Sequence, residues 1–120
     1  MPVPSIHLLL DLYDCRSPAL RNAGVLDQIF ADALQLAGFE MIDRSGGLTE
    51  RSTAQVYVLR QAYAALYTMP EDGYVAADVF AVGDSGAVRP LLEIVRGYLA
   101  QKLMARSVQA RLIERGLEAR

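Results

Sequence analysis

Two stretches of helical periodicity, with strand-like segments around them, constrain the fold of this chain more than any other feature. In Asn22–Ala37, apolar side chains recur every three or four residues, and Gly38 supplies a C-terminal stop. The same spacing returns in Val88–Leu103, where Pro90 falls in the first turn and is tolerated. Because each helix must bury its apolar stripe against another element, we expect two helices that pack on one side of a sheet.

The remaining segments are rich in aliphatic, β-branched and aromatic residues, which is typical of strands. The predicted order is β-α-β-β-β-α-β, with strands at Ser5–Tyr13, Phe39–Arg44, Thr53–Met69, Tyr74–Val82 and Ser107–Glu114. We expect Gly46-Gly47 to close the second strand, a bend or bulge near Gln61-Ala62 in the long third strand, and a hairpin turn at Pro70–Gly73. The expected fold class is α/β of the α+β type: one domain over residues 1–120, built as a two-layer sandwich with a largely antiparallel sheet and both helices on one face.

Composition and charge narrow the classes of function. The 120 residues are 52% hydrophobic and carry a formal net charge of −2, so one core is expected but no positive surface for a nucleic acid. The single cysteine, Cys15, and the single histidine, His7, argue against a disulfide framework and against a metal site. No basic segment precedes the first apolar run and Asp11 interrupts it, so neither a signal peptide nor a membrane span is expected. These features predict a cytoplasmic protein that binds neither nucleic acid nor membrane.

Three motifs resemble those of the small prokaryotic S-adenosylmethionine decarboxylases, the pyruvoyl enzymes of spermidine synthesis. HLLLDLYDC at His7–Cys15 is similar to the family's first strand, and LIERGL at Leu112–Leu117 is similar to its last strand. YTMPEDGYVAADVFAVG at Tyr67–Gly83 resembles the family's hairpin, which begins His-Thr-Trp-Pro-Glu. The resemblance is collinear over nearly the whole chain. It implies an α/β sandwich whose protomers pair, and we therefore expect at least a homodimer.

The same resemblance implies that the residues of the family's chemistry are absent. In the family, a Glu-Ser bond cleaves itself and the serine becomes the pyruvoyl group. Here Gln61-Ala62 occupies that place, and alanine has no hydroxyl to attack the preceding carbonyl. The assisting serine, the processing histidine and the proton-donating cysteine of the family fall on Ala54, Tyr67 and Val82. We expect an intact chain that carries no pyruvoyl group and no other cofactor.

A nucleoside site is the part of the family pattern that the resemblance retains. The family's ribose-binding glutamate falls on Glu71, and its adenine-stacking aromatic residue falls near Leu48, so stacking would rest on Tyr67. The implied ligand is S-adenosylmethionine or a related nucleoside. Such a sulfonium is already activated toward elimination or internal attack, so a pocket needs mainly to fold the ligand and supply a base. Tyr63, Tyr67 and Glu71 are the candidates for these roles.

Other functions stay open. The chain also fits a non-catalytic regulatory subunit that pairs with an active decarboxylase paralogue. Inactive paralogues of this kind activate the catalytic chain by binding to it. A purely structural oligomer is the third alternative, and no sequence feature supports it. A second copy carrying the Glu-Ser motif in the same genome would discriminate between the first two functions.

Several conspicuous residues also have plain structural interpretations. His7 lies between Ile6 and Leu8 and is interpreted as a structural histidine, Asp78 is an unusual carboxylate inside a strand, and Arg115 is assigned to the outer face. Three tyrosines occupy odd-numbered positions of the predicted third strand and would therefore share one face of it: Tyr57, Tyr63 and Tyr67. We expect this aromatic stripe to pack under a helix or at a dimer contact.

Overall fold

The computed structural model describes residues 2–118, and within these residues the chain forms six strands and two α-helices. The strands are β1 (Ser5–Tyr13), β2 (Met41–Leu48), β3 (Thr53–Leu59), β4 (Ala62–Met69), β5 (Tyr74–Val82) and β6 (Ser107–Arg115). All neighbours pair antiparallel, in the order β2-β3-β4-β5-β1-β6. The helices are α1 (Ala23–Ala37) and α2 (Ser85–Lys102), and short 3-10 helices lie at Pro18–Arg21 and Pro70–Asp72. The predicted fold class, with two helices on an antiparallel sheet, is confirmed.

Helix α1 begins and ends where its sequence predicts. Asn22 Oδ1 accepts a hydrogen bond from the Val25 amide at 3.1 Å, which satisfies one of the free amides of the first turn. Gly38 ends the helix in the left-handed region, with φ 103°, where glycine is favoured.

Helix α2 begins earlier than its apolar spacing predicts. Asp84 caps it by accepting a hydrogen bond from the Ala87 amide at 3.1 Å, so the helix starts at Ser85 and not at Val88. Pro90 therefore lies inside the helix, and the prediction that it occupies the first turn is wrong. The missed signal is the N-cap aspartate that follows Gly83.

The core lies between the helices and one face of the sheet. Alternate residues of β1 and β5 face the helices and are buried, whereas the residues between them face the other way and are partly exposed. Phe30 of α1 packs edge-on against Tyr57 of β3, with ring centroids 4.9 Å apart. We call this side the helix face. No element within residues 2–118 covers the opposite side, which we call the open face.

The predicted third strand is wrong, because Thr53–Met69 folds as two strands. The chain reverses at Arg60 and Gln61, and β3 pairs with β4 from Leu59 opposite Ala62 to Thr53 opposite Thr68. A single strand of that length would leave much of its backbone without a partner, whereas the reversal lets the two halves satisfy each other. Gln61 adopts φ 58°, which is uncommon for a residue other than glycine.

The reversal also changes which side chains share a face. Across a two-residue turn, an odd-numbered residue of β3 lies opposite an even-numbered residue of β4, and Tyr57 pairs with Ala64. Tyr57 therefore points to the helix face, while Tyr63 and Tyr67 point to the open face. The predicted stripe of three tyrosines on one face is wrong for this reason.

Strand β2 continues through the two glycines that were expected to close it. Gly46 pairs with Gln55 and Gly47 with Ala54, and the chain turns only afterwards. A Cβ on Gly46 would lie 1.2 Å from Gln55 Oε1. The glycine therefore leaves space for the Gln55 side chain, whose Nε2 donates to Asp27 Oδ1 of α1 at 2.8 Å.

The hairpin of β4 and β5 forms as predicted, with Met69 opposite Tyr74 across the Pro70–Gly73 turn. The last strand also forms where the alternation predicts it, at Ser107–Arg115. Within residues 2–118, neither helix has the combination of length and apolar character that a membrane crossing requires.

Candidate functional site

The residues singled out in the sequence lie at two ends of the β3–β4 hairpin. The turn end carries Gln61 and Ala62, and Val82 of β5 lies beside them because its amide donates to the Gln61 carbonyl at 2.9 Å. The far end carries Leu48 and Glu71. Since a strand rises about 3.3 Å per residue, the length of β4 separates the two ends by roughly 20 Å. One copy of the chain does not bring all of these residues into a single pocket.

A cavity of about 190 Å³ lies at the far end. The 3-10 helix at Pro18–Arg21, the β2–β3 turn at residues 49–52 and the Pro70–Asp72 segment form its walls. Leu48 and Glu71 both line it, so the structure brings these two candidate ligand-binding residues together.

Glu71 is not an isolated carboxylate in this cavity. Its Oε2 lies 3.6 Å from Arg51 Nη1, and both side chains are largely exposed. Arg21 also lines the cavity. An exposed ion pair of this kind contributes about 0–1 kcal/mol, so a ligand that hydrogen-bonds Glu71 displaces Arg51 at little cost.

Tyr67 lies opposite Ala54 on the open face and is 43% exposed. Thr53, which lines the far-end cavity, is buried on the other face of the same hairpin. The structure therefore does not bring Tyr67 to the cavity wall that holds Glu71. Within one chain, Tyr67 is not placed to stack on a base bound beside that carboxylate.

A second cavity, of about 270 Å³, lies at the turn end. Its lining comes from the chain after α1, the β3–β4 turn, the end of β5 and the start of α2: Gly38, Phe39, Glu40, Arg60, Gln61, Ala81, Val82, Val88 and Leu91. Arg60 Nε donates to Glu40 Oε2 at 2.6 Å, and this hydrogen bond lowers the pKa of Glu40. The positions implied for chain cleavage and for proton donation thus share one cavity, and Ala62 is partly buried next to it.

A polar cluster on the open face, which sequence reasoning missed, lies beside Tyr63. His7 Nε2 and Asp78 Oδ2 are 2.7 Å apart, and Arg115 Nη1 lies 3.2 Å from His7 Nδ1. The Tyr63 and Phe80 rings stack with centroids 5.1 Å apart, and the His7 ring stands edge-on to both. The Arg115 guanidinium carbon lies 5.0 Å from the Phe80 ring centroid. We call His7, Asp78 and Arg115 the His7 cluster.

A signal for this cluster was present but incomplete. The motifs at His7–Cys15 and Tyr67–Gly83 contain the histidine and the aspartate, respectively. Their contact depends on the register of β1 and β5, which places His7 opposite Phe80 and Leu9 opposite Asp78. Neither motif specifies that register alone.

Two further titratable side chains near the sheet, Tyr74 and Cys15, have raised pKa values. The Tyr74 hydroxyl donates to Asp11 Oδ1 at 2.5 Å, which raises the pKa of Tyr74 to about 12. Burial raises the pKa of the Cys15 thiol to about 11, so this thiol is poorly reactive at neutral pH. Among the residues that the structure describes, no three His, Cys, Asp or Glu side chains are grouped to hold a metal ion.

Comparisons with known proteins point to one family. Residues 6–116 match the family model described as S-adenosylmethionine decarboxylase. The chain is 29% identical over 94 residues to the "S-adenosylmethionine decarboxylase proenzyme" of Methanococcus aeolicus, covering 78% of this chain and 80% of that protein. It is 28% identical over 112 residues to the protein of the same name from Clostridium kluyveri, covering 92% and 86%. The crystal structure of the adenosylmethionine decarboxylase from Aquifex aeolicus superposes with a TM-score of 0.84 at 19% identity, covering 99% of this chain and 96% of that one.

Proposed function

Because the chain belongs to the S-adenosylmethionine decarboxylase family, we propose that it is a divergent member that binds S-adenosylmethionine or a related nucleoside without forming a pyruvoyl group. Ala62 carries this proposal. It occupies the position that the resemblance assigns to the self-cleaving serine, and its methyl group cannot attack the Gln61 carbonyl. Ala54, Tyr67 and Val82 at the assisting positions support the same conclusion, because several chemical groups differ together.

Intact mass spectrometry of the purified chain tests this proposal. We expect one species at the mass of the uncut polypeptide and no adduct with a carbonyl-trapping reagent. We also expect no carbon dioxide release from carboxyl-labelled S-adenosylmethionine. Two fragments split near Gln61-Ala62, or labelled carbon dioxide, would contradict the proposal.

The proposed reaction is a cofactor-free elimination or cyclisation of the bound sulfonium. The positive sulfur makes a neutral thioether a good leaving group, so the protein mainly has to fold the methionine chain and, for elimination, remove a proton. Tyr63 and Tyr67 on the open face remain the candidate catalytic residues from the sequence. Chromatography of S-adenosylmethionine incubated with the protein would reveal methylthioadenosine as a product of either route.

Nucleoside binding at the far-end cavity is tested with Glu71. Two hydrogen bonds from ribose hydroxyls to a carboxylate are worth about 1.5–3 kcal/mol each, so Glu71→Gln should weaken binding at least about tenfold. Asp72→Asn is the matched control, because it removes the same charge from the neighbouring exposed residue outside the cavity lining. Calorimetry with S-adenosylmethionine and methylthioadenosine measures both variants. Equal weakening in the two would show a net-charge effect and no specific site at Glu71.

The open face supports the proposal that the protein is a homodimer or larger. Its exposed apolar side chains are spread over five of the six strands: Tyr13, Val56, Val58, Tyr63, Tyr67, Met69, Val82 and Ile113. A surface of this kind is typical of sheets covered by a second subunit. Pairing of two subunits could also bring residues from the two ends of the β3–β4 hairpin together, because these ends are far apart within one chain.

Sedimentation at micromolar concentration should find no dominant monomer. Val56→Lys, in the middle of the open face, should give monomers, because a buried lysine has no partner there. Ile94→Lys is the matched control, since Ile94 is similarly exposed but lies on α2. A wild-type monomer, or equal dissociation of both variants, would remove the open face as the interface.

The same open face favours one alternative, a regulatory subunit that pairs with an active decarboxylase paralogue. In that case the partner is a chain that still carries the Glu-Ser bond. Mixing the two purified proteins should raise the partner's decarboxylase activity, and Val56→Lys should abolish the increase. An unchanged partner activity would exclude this alternative.

A further inference from the structure

The His7 cluster has a hydrogen-bond arrangement that defines which ring nitrogen carries the proton. A guanidinium only donates hydrogen bonds, so His7 Nδ1, 3.2 Å from Arg115 Nη1, is the acceptor and has no proton. The proton is therefore on Nε2, which donates to Asp78 Oδ2 at 2.7 Å. A carboxylate on one ring nitrogen and an unprotonated second nitrogen is the arrangement by which enzymes orient a histidine base.

The cluster also lies beside an aromatic ring that can hold a cation. The His7 side chain is 17% exposed and stands edge-on to Tyr63 and Phe80, at the end of the sheet where Ala62 follows the turn. The ring of Phe80 already has a cation against it, because the Arg115 guanidinium lies 5.0 Å from its centroid. A sulfonium carries the same charge and fits the same ring face.

We propose that His7 is the proton acceptor of the cofactor-free reaction, that Asp78 positions it, and that Arg115 binds the carboxylate of the substrate. This inference rests on the proposed function and on the pairing proposed there, because within one chain the far-end cavity that holds Glu71 is roughly 20 Å from the His7 cluster. The sulfonium takes the place of Arg115 on Phe80, and the guanidinium turns to the substrate carboxylate, for which its fork of N–H groups is suited. The movement of Arg115 frees His7 Nδ1 to accept a proton.

The step is an elimination that needs no oxidant or cofactor. His7 Nδ1 takes a proton from the β-carbon of the methionine portion, and a double bond forms between the β- and γ-carbons. The bond between the γ-carbon and sulfur breaks, and its electron pair goes to sulfur. The products are methylthioadenosine and a β,γ-unsaturated amino acid, and the proton on His7 passes to solvent. A lactone formed by the substrate's own carboxylate requires no base and would contradict this route.

Kinetics of methylthioadenosine release from S-adenosylmethionine tests the roles of the three residues. We expect His7→Gln to lower kcat by about 100-fold or more with KM within about threefold, which is the usual contribution of a general base. Asp78→Asn should lower kcat and shift the pH profile. Arg115→Met should raise KM at least about tenfold while leaving the affinity for methylthioadenosine unchanged, because that nucleoside has no carboxylate. Arg111→Met is the control for Arg115, since it removes a charge from the same face of β6.

The single histidine permits a second test on the unaltered protein. Nitrogen NMR of His7 should show Nδ1 without a proton and Nε2 with one, and the Nδ1 signal should shift when S-adenosylmethionine is added. A proton on Nδ1, or unchanged turnover in His7→Gln, would overturn the inference while leaving the proposed function in place. If the wild-type protein releases no methylthioadenosine, the proposed reaction fails and the inference fails with it.

Discussion

The two faces of the sheet use tyrosine in opposite ways. Tyr57 points to the helix face, is fully buried, and donates to Asp27 Oδ1 at 2.8 Å. Tyr63, on the neighbouring strand, points to the open face, is 41% exposed, and stacks on Phe80. A tyrosine that is buried with a fixed hydrogen-bond partner therefore stabilises the fold. A tyrosine that is partly exposed remains available to contact a ligand or a second subunit.

The largest expected effect comes from deleting one aromatic ring on each face. Phe30→Ala should lower the free energy of unfolding by about 3–5 kcal/mol, because its fully buried ring leaves a cavity beside Tyr57. Phe80→Ala should cost about 1 kcal/mol, since its ring is only partly covered within the chain. Urea denaturation measures both. Equal losses would mean that a second subunit buries Phe80 as completely as the helices bury Phe30.

A smaller effect is expected from removing one hydroxyl on each face. Tyr57→Phe removes one of the two 2.8 Å hydrogen bonds that the partly buried Asp27 Oδ1 accepts, the other coming from Gln55, which should cost about 1–3 kcal/mol. Tyr63→Phe should change stability by less than about 0.5 kcal/mol, because its ring packing is kept. Chemical denaturation compares the pair. A loss in Tyr63→Phe as large as that in Tyr57→Phe would break the distinction between the faces.

Two adjacent glycines of β2 compare the two faces, because Gly46 lies on the helix face and Gly47 on the open face. In Gly46→Ala, the new methyl group meets Gln55 Oε1 at 1.2 Å and the Ala54 carbonyl oxygen at 2.6 Å, so the Gln55 side chain leaves Asp27 and the backbone has to shift. The lost hydrogen bond and the backbone shift together should cost at least about 1 kcal/mol. Gly47→Ala meets nothing within 4 Å and should be neutral or slightly stabilising. If thermal unfolding shifts equally for both variants, the close packing around Gly46 contributes nothing to stability.

The smallest effect concerns alkaline pH. The hydrogen bond to Asp11 raises the pKa of Tyr74 from 10.0 to about 12. A raised pKa in the folded state means that the stabilisation is complete below about pH 10 and is lost as the pH rises through about 12. When phenolate absorbance is followed as the pH is raised, the Tyr74→Phe variant should lack the step near pH 12 that the unaltered protein shows. Burial, and then Asp27, raises the pKa of Tyr57 as well, so Tyr57 should ionise only as the chain unfolds.

Local sequence signals predicted both ends of α1 well and missed the turn between β3 and β4. Asn22 and Gly38 are residues whose side chains or conformations mark the two ends of α1 directly. Arg60 and Gln61 are not typical turn residues, and the positive φ of Gln61 is not indicated by its residue type. The turn is imposed by the pairing of β3 with β4, which a local pattern does not contain.

The candidate site was only partly predictable for the same reason. Leu48 and Glu71 were both named from the resemblance, and the far-end cavity brings them together. The contact of His7 with Asp78 joins residues 71 positions apart and depends on strand register. Long-range register is set by the packing of whole strands, so it is not visible in any single segment.

The Arg60–Gln61 turn also makes this a protein that can be divided. A break there leaves two polypeptides, one with β1, α1, β2 and β3 and the other with β4, β5, α2 and β6. Their strands alternate in the sheet, because β1 of the first piece lies between β5 and β6 of the second. Neither piece can complete a sheet alone, so co-expressed fragments should find each other and assemble. The fold is suited to serve as a split reporter whose signal depends on reunion of the two halves.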